Sequence, residues 1–137
     1  MAFHIELVTP EATILSGSAV FVLARALNGD LGILEGHAPM VAGLGTGKLE
    51  VHMDDGEVRR FLIDGGFLEA TPDKVVVLAD TTEDAESIDL QRALQERDRL
   101  AEEISRAEAH GEEVGTKLRQ LRLAEARVAL AQESQAR

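Results

Sequence analysis

The sequence predicts an α+β protein, with an antiparallel β-sandwich or barrel in residues 1–84 and a pair of helices in residues 85–137. Three observations predict this division. Ten of the twelve glycines and all three prolines, which punctuate turns and are scarce in helices, lie in the first part. Apolar residues there alternate with polar ones or form short runs, whereas later they recur at spacings of three and four. Nine of the fourteen basic residues fall in the second part.

The first part is expected to form short strands joined by tight turns. Residues 3–7 alternate between apolar and polar side chains, as a strand with one buried face does. Residues 28–30 and 54–57 are turn signals, and Gly65-Gly66 is expected to separate two further strands. Many short strands with no helix between them are typical of an antiparallel sandwich or barrel. The predicted strands are residues 3–7, 19–24, 49–53, 58–63, 67–70 and 75–79.

The second part is expected to form two helices of about six turns each, joined by a tight link. Ser87 or Asp84 is the predicted N-cap of the first helix, Asp89 lies in its first turn, and His110-Gly111 ends it. Both apolar stripes are narrow and rich in alanine, which buries little area, so we expect a weakly held hairpin. The stripes consist of Leu90, Ala93, Leu94, Ala101, Ile104 and Ala107, and of Leu118, Leu121, Ala124, Val128 and Ala131.

Composition excludes several classes of function. The chain has no cysteine, which rules out disulfides and thiolate chemistry, and its net charge of -11 opposes binding to nucleic acid. No apolar run is long enough to cross a bilayer, so we expect a soluble protein with no direct membrane insertion. The four histidines are far apart in the sequence, so no metal site is expected, and His37 is expected to close a turn.

No set of residues points to catalysis. Residues 43–48 (GLGTGK) are faintly similar to a phosphate-binding loop, but Leu49 stands where Ser or Thr would follow the lysine. We therefore interpret this segment as a connection between strands. The serines lack the histidine and carboxylate that would activate a nucleophile, so we expect no enzymatic activity.

Arginines in the second part allow two interpretations. Arg92 and Arg99 lie two helical turns apart on nearly one face, and the second helix carries further arginines. Brought together, they would suit a polyphosphate or an acidic protein surface. The alternative is a solvated face on which charges pair along the helix. The pairs four residues apart are Arg99 with Glu103, Glu102 with Arg106, and Glu113 with Lys117.

Several blocks resemble one known family. Residues 29–40 (GDLGILEGHAPM) resemble the signature segment of the epsilon subunit family of bacterial F-type ATP synthases. Residues 7–11 and 16–17 resemble its opening strand and turn, and residues 65–69 and 72–80 a later block. The blocks follow in order over nearly all of residues 5–93. Departures are ARALN at residues 24–28, Glu35 and Asp64.

The resemblance implies a flattened N-terminal β-sandwich that acts as a docking domain and a C-terminal regulatory hairpin. It implies a non-catalytic rotor subunit of the central stalk, peripheral on the cytoplasmic face of the bacterial inner membrane. The sandwich would hold the gamma subunit and rest on the membrane ring of c subunits. The hairpin would lie on the sandwich or rise into the catalytic alpha and beta subunits and block ATP hydrolysis. A second reading is an ATP-sensing module whose hairpin folds on nucleotide.

The resemblance also implies sites. No cofactor is required, but ATP is a possible regulatory ligand. We expect the rotor ring to face Asp30 and His37, in or beside the turns of the signature segment. Residues matching the family's nucleotide-binding pattern are Ile88, Asp89, Arg92 and Ala93, with Glu83, Arg99, Arg122 and Arg127 as further contacts. Residues expected to meet the catalytic head are Lys117, Arg119, Arg122 and Arg127.

Overall fold

The computed structural model describes residues 2–135, and the chain divides into two compact units, Met1–Asp84 and Ala85–Arg137. The first unit holds six strands and the second a short 3-10 turn, Ala85–Ser87, and two helices. The strands are β1 (Phe3–Val8), β2 (Thr13–Ala26), β3 (Gly29–Leu34), β4 (Met40–Met53), β5 (Val58–Thr71) and β6 (Lys74–Asp84). The helices are α1 (Leu90–Ala109) and α2 (Gly115–Gln135).

The strands form one sheet that closes on itself. Their order is β1-β6-β5-β4-β2-β3, and β1 also pairs with β2, so β3 alone lies outside the ring. Among the described strands, β1 and β6 are the one parallel pair. Directions cannot alternate all the way round a ring with an odd number of strands, so one neighbouring pair must be parallel. The predicted fold class, a β-sandwich followed by a helical hairpin, is confirmed.

β5 is one long strand, and the prediction that Gly65-Gly66 separates two strands is wrong. Side chains of the core cluster fall at Phe61 and Ile63 before the glycines and at Leu68 and Ala70 after them, whereas Leu62 is buried outside this cluster. The core positions thus change from odd to even, because the two glycines, at φ 82° and 125°, let the strand turn its other face inward. The bend lets the same strand line the core in both halves of the closed sheet.

Residues 43–48 lie within β4, so their interpretation as a connection between strands is also wrong. Thr46, Gly47 and Lys48 pair with Asp64, Ile63 and Leu62 of β5. Small residues without a clear alternation hid the strand, because β4 changes its buried face here as β5 does. Buried side chains flank the segment at Leu44 and Leu49.

The core of the first unit is one cluster of buried side chains. Every strand contributes to it, which ties the six strands into one cooperative unit. Its members are Phe3, Ile5, Leu7, Leu15, Ala19, Val22, Ala24, Ile33, Leu44, Leu49, Val51, Phe61, Ile63, Leu68, Ala70, Val75, Val77 and Ala79.

The ends of α1 follow local hydrogen bonding. Asp89 is its N-cap, and the Asp89 carboxylate accepts a bond from the Arg92 amide at 3.2 Å. The two predicted caps are therefore wrong: Asp84 is the last residue of β6 and Ser87 lies in the 3-10 turn, which delays the helix. The end at His110-Gly111 is confirmed, because Gly111 has φ 71° and the Glu112 amide donates to the Ala107 carbonyl at 2.9 Å.

The two helices of the second unit pack along a narrow seam. On α1 the buried residues Ala93, Leu100 and Ala107 are seven apart, the spacing of a coiled-coil seam. Leu100 therefore takes the place predicted for Ala101, which is exposed, and Leu118 of α2 is also exposed. The buried set is Ala93, Leu100, Ile104 and Ala107 on α1, and Ala124, Val128, Leu130 and Ala131 on α2.

Candidate docking face and candidate anion site

One surface of the first unit is apolar although it faces solvent. Leu27, Val41, Phe67 and Leu78, here called the apolar face, are exposed to between 48% and 76%. Large hydrophobic side chains are common singly on protein surfaces, but a contiguous group marks an interaction site. The apolar face is therefore a candidate docking surface.

Strand register brings these side chains together. Phe67 of β5 lies opposite Gly43 of β4 and opposite Leu78 of β6, and Val41 is two residues from Gly43 on the same strand face. The Leu27 amide donates to the Gly43 carbonyl at 3.0 Å. A Cβ at Gly43 would come within 2.7 Å of the Leu27 Cδ1 atom. The absent side chain at Gly43 thus makes room for Leu27 beside Phe67.

Asp30 and His37 do not share one tip. Asp30 is the second residue of β3, whereas His37 follows the end of that strand at Leu34. Leu34 is four residue steps from Asp30, which is roughly 13 Å along an extended strand. Asp30 is exposed and accepts a bond from the Arg25 guanidinium at 3.1 Å.

His37 closes a turn, as its sequence context predicts. The His37 Nδ1 atom is 2.7 Å from the Leu34 carbonyl, so this nitrogen carries the proton and donates. The ring meets the Phe3 ring edge to face, with centroids 5.5 Å apart. Its Nε2 atom is buried and has no hydrogen-bond partner among the described residues. The imidazole is thus held in place by local structure.

Three residues of the nucleotide-binding pattern have structural roles in the hairpin. Ile88 is buried, Asp89 caps α1, and Ala93 lies in the helix seam. Arg92 is exposed one turn further on. The pattern therefore has a folding explanation at three of its four defined positions, and Arg92 and Asp89 are the exposed ones among the four.

Arg99 binds Glu96, a residue that the sequence analysis did not single out, and the charges of two further arginines also act on it. Arg99 donates to both carboxylate oxygens of Glu96, from Nε at 3.2 Å and from Nη2 at 2.5 Å. These bonds lower the pKa of Glu96 below its usual value, and the charges of Arg127 and Arg92 lower it further. The same pairing raises the pKa of Arg99. Arg127 comes from α2, so the cluster needs the folded hairpin.

The remaining basic residues of α2 are arranged differently. The Lys117 Nζ atom lies 3.9 Å from the Glu103 Oε1 atom of α1, so the predicted pair of Lys117 with Glu113 is wrong. The predicted pairs of Arg99 with Glu103 and of Glu102 with Arg106 are confirmed.

Arg122 is not part of the cluster around Glu96. It is two residues from buried Ala124, about 200° around the helix, so it points away from α1. Arg119 is exposed and donates to Thr116 at 3.2 Å. Glu83 lies in β6 of the first unit, opposite Leu62.

The described helices lack an apolar stretch of the length that a membrane crossing needs. The site and the fold together define a small α+β protein, in which a closed β-sandwich with an exposed apolar face precedes a helical hairpin. The profile of the ATP synthase delta/epsilon chain β-sandwich domain matches residues 2–85.

Relatives extend the match beyond the sandwich. The ATP synthase epsilon chain of Moorella thermoacetica is 39% identical over 93% of this chain and 94% of its own length. That of Alkalilimnicola ehrlichii is 41% identical over 80% of this chain and 78% of its own. The chain belongs to the ATP synthase epsilon chain family.

Solved structures support the fold. A chain of the Euglena gracilis mitochondrial ATP synthase, solved as OSCP, F1 and c-ring, matches 99% of this chain and 82% of its own length, with a TM-score of 0.77 and 20% identity. A chain from the Tetrahymena thermophila central stalk and c-ring covers 64% of this chain and 70% of its own length, with a TM-score of 0.55 and 18% identity.

Proposed function

We propose that this chain is a non-catalytic rotor subunit of the central stalk, which helps couple ion-driven ring rotation to ATP synthesis. The sandwich binds the gamma subunit and rests on the ring of c subunits, and the hairpin regulates the catalytic alpha and beta subunits. The complex would place the chain at the cytoplasmic face of a bacterial inner membrane as a peripheral subunit. Family membership and the origin of the similar folds, a central stalk with c-ring, support this proposal.

The observation that carries the docking role is the apolar face. Four large apolar side chains in a chain of net charge -11 would be costly to leave in water without a partner. A rotor subunit must also transmit torque, and a closed ring of hydrogen-bonded strands resists shear. We therefore assign the apolar face to the contact with gamma.

Asp30 and His37 are proposed to contact the membrane ring from separate positions. Asp30 is exposed at the start of β3 and can meet a basic group, although Arg25 already pairs with it. His37 would act mainly by fixing the loop between β3 and β4, because its ring is held by Leu34 and Phe3. The ring contact would thus extend along β3 rather than lie at one tip.

The hairpin is proposed to regulate ATP hydrolysis. Lys117, Arg119 and Arg122 lie on α2 and would meet an acidic segment of a catalytic subunit in a raised form. Half of the buried residues of the two helices are alanines, so two arrangements of the helices can differ by only a few kcal/mol. ATP is the proposed regulatory ligand, held by Arg92, Arg99 and Arg127 in the folded hairpin.

Phe67→Glu tests the docking role. The change places a charge in the centre of the apolar face, and we expect the affinity for gamma to fall at least about thirtyfold, measured by biolayer interferometry with purified gamma. Leu118→Glu is the matched control, because Leu118 is an exposed apolar residue on α2 and its change should leave the affinity within about twofold. Equal affinities for Phe67→Glu and the wild type would overturn the assignment of this face.

Removal of residues 85–137 tests the regulatory role. Assembly and ATP synthesis should persist, because the sandwich carries the proposed docking surface, while ATP hydrolysis by the complex should rise. Hydrolysis should be measured at low ATP, where the raised form is expected to be most populated. Equal hydrolysis rates with and without the hairpin would show that it is not the brake.

A further inference from the structure

The arginine cluster of the hairpin already holds a carboxylate. Arg92 lies one turn before Glu96 on α1 and Arg99 one turn after it, and Arg99 donates to both oxygens of Glu96. Glu103 follows Arg99 by one further turn and also pairs with it. Positive and negative side chains therefore alternate along one face of α1.

α2 adds positive charge to this row. Arg127 is close enough for its charge to act on Glu96, and Lys117 lies 3.9 Å from Glu103. The row thus contains four basic side chains and two carboxylates. An anion that is to bind the arginines must take over hydrogen bonds that Glu96 now accepts.

We propose that Glu96 is an internal competitor for the anion site of the hairpin, which the phosphates of ATP or another polyphosphate must displace from Arg99 in order to bind. This inference rests on the proposed binding of ATP to the hairpin and adds the residue that sets its strength. Displacement costs two charge-assisted hydrogen bonds and leaves a carboxylate beside the incoming phosphates. In this proposal Glu96 lowers the affinity of the hairpin for polyphosphate.

Glu96 is well suited to such a role because it is replaceable. Its side chain is 42% exposed, so it can turn into solvent when a stronger anion arrives. Arg99 keeps a second partner in Glu103, so the guanidinium stays ordered during the exchange. The competitor therefore lowers affinity without closing the site.

The test is a calorimetric titration of the full-length protein with inorganic tripolyphosphate and, separately, with ATP. Glu96→Gln keeps the size of the side chain and removes its charge. An exposed ion pair changes an equilibrium by a factor of about 1.4 to 5, and the charges of three arginines act on Glu96, so we expect tripolyphosphate affinity to rise about threefold to tenfold. ATP affinity should rise by a similar factor.

Glu102→Gln is the matched control. Glu102 pairs with Arg106 four residues on, and lies about 240° around α1 from Glu96, so the same gain of net charge occurs away from the cluster. The affinity of Glu102→Gln for tripolyphosphate should stay within about twofold of the wild-type value. In the Glu96→Gln background, Arg127→Gln should cancel most of the gain, and Arg106→Gln should not.

Each result has a distinct meaning. A threefold or larger gain confined to Glu96→Gln supports the inference. Binding that is equal in the wild type and Glu96→Gln, or raised equally by both glutamate variants, overturns the competitor role while ATP binding by the hairpin stands. If no variant binds either ligand although circular dichroism shows intact helices, both the inference and the ATP role of the hairpin are wrong.

Discussion

Gly66→Ala is expected to destabilise the sandwich by about 4 kcal/mol. A Cβ at this position would lie 2.0 Å from the Leu78 carbonyl oxygen, a backbone atom that cannot move without breaking the β5–β6 ladder. The φ of 125° adds strain of roughly 1–3 kcal/mol, and the forced shift adds about 1–3 kcal/mol. The sum is a large share of the stability of a small domain, about 5–15 kcal/mol.

Gly56→Ala is the control for this experiment. Gly56 also has a positive φ, 92°, but a Cβ there would meet nothing within 4 Å. Its replacement should therefore cost only the backbone strain, about 1–2 kcal/mol. The difference between the two variants isolates the steric contact with β6.

Urea denaturation of the full-length protein measures both changes. The chain has no tryptophan and no tyrosine, so circular dichroism, rather than intrinsic tryptophan or tyrosine fluorescence, follows the unfolding. The free energy of unfolding is obtained by linear extrapolation to zero urea. If Gly66→Ala and Gly56→Ala lower it by the same amount, the close approach of β5 and β6 does not restrict this position and the reasoning is refuted.

Two further changes probe the hairpin and the surface of the sandwich. Asp89→Ala removes the N-cap bond to the Arg92 amide and should destabilise α1 by about 1 kcal/mol, measured by thermal melting at 222 nm. The control, Asp98→Ala, changes an exposed residue in the middle of α1 and should be neutral or slightly stabilising. Equal losses of stability in the two variants would contradict the capping role. Burial raises the pKa of Glu50, but hydrogen bonds from His52 and Arg60 and the charge of Lys48 outweigh it, so its pKa lies below the usual value. Glu50 therefore contributes stability above its unfolded pKa, about 4.3, and loses that contribution as the pH falls through its lower folded pKa. Glu50→Gln should lower the free energy of unfolding by about 1 kcal/mol at pH 7. Between pH 5 and 3 this variant should lose less stability than the wild type, as measured by urea midpoints. Midpoints that fall in parallel with pH in the two proteins would exclude this role of Glu50.

Much of the fold could be predicted because local patterns and the global structure agree. The alternation of β1, the turn at residues 54–57 and the change to helical spacing near residue 85 all have their structural counterparts. The long strands were harder, since β4 and β5 change their buried face midway. A period of two that changes phase inside one strand looks like two short strands with a break.

The apolar face had a signal that the sequence analysis did not use. The run at residues 75–79 is apolar without alternation, so some of its side chains must point away from the core. Phe67 and Leu68 are likewise adjacent, and only Leu68 is buried. Continuous apolar runs in an antiparallel sheet indicate that both faces carry apolar side chains, as they do at this candidate docking surface.

The candidate anion site could be predicted only in part. Arg92 and Arg99 follow from helical spacing on α1, and the pairing of Glu96 with Arg99 at three residues could have been recognised in the same way. Which arginine of α2 joins them depends on the register of the two helices, which narrow alanine stripes specify poorly. The charge of Arg127 acts on Glu96, whereas Arg122 lies on the side of α2 that points away from α1.

The parallel pairing of β1 with β6 has a consequence for biosynthesis. His4 pairs with Lys74, so the strands that complete the ring come from opposite ends of the first unit. Such a contact is delayed by the entropy of closing a long loop. During translation one edge of β1 stays unpaired until β6 has left the ribosome. A pause in synthesis between these two strands would leave an open sheet edge that other nascent chains can join. A tag fused before β1 would lie next to the pair of strands that closes the ring.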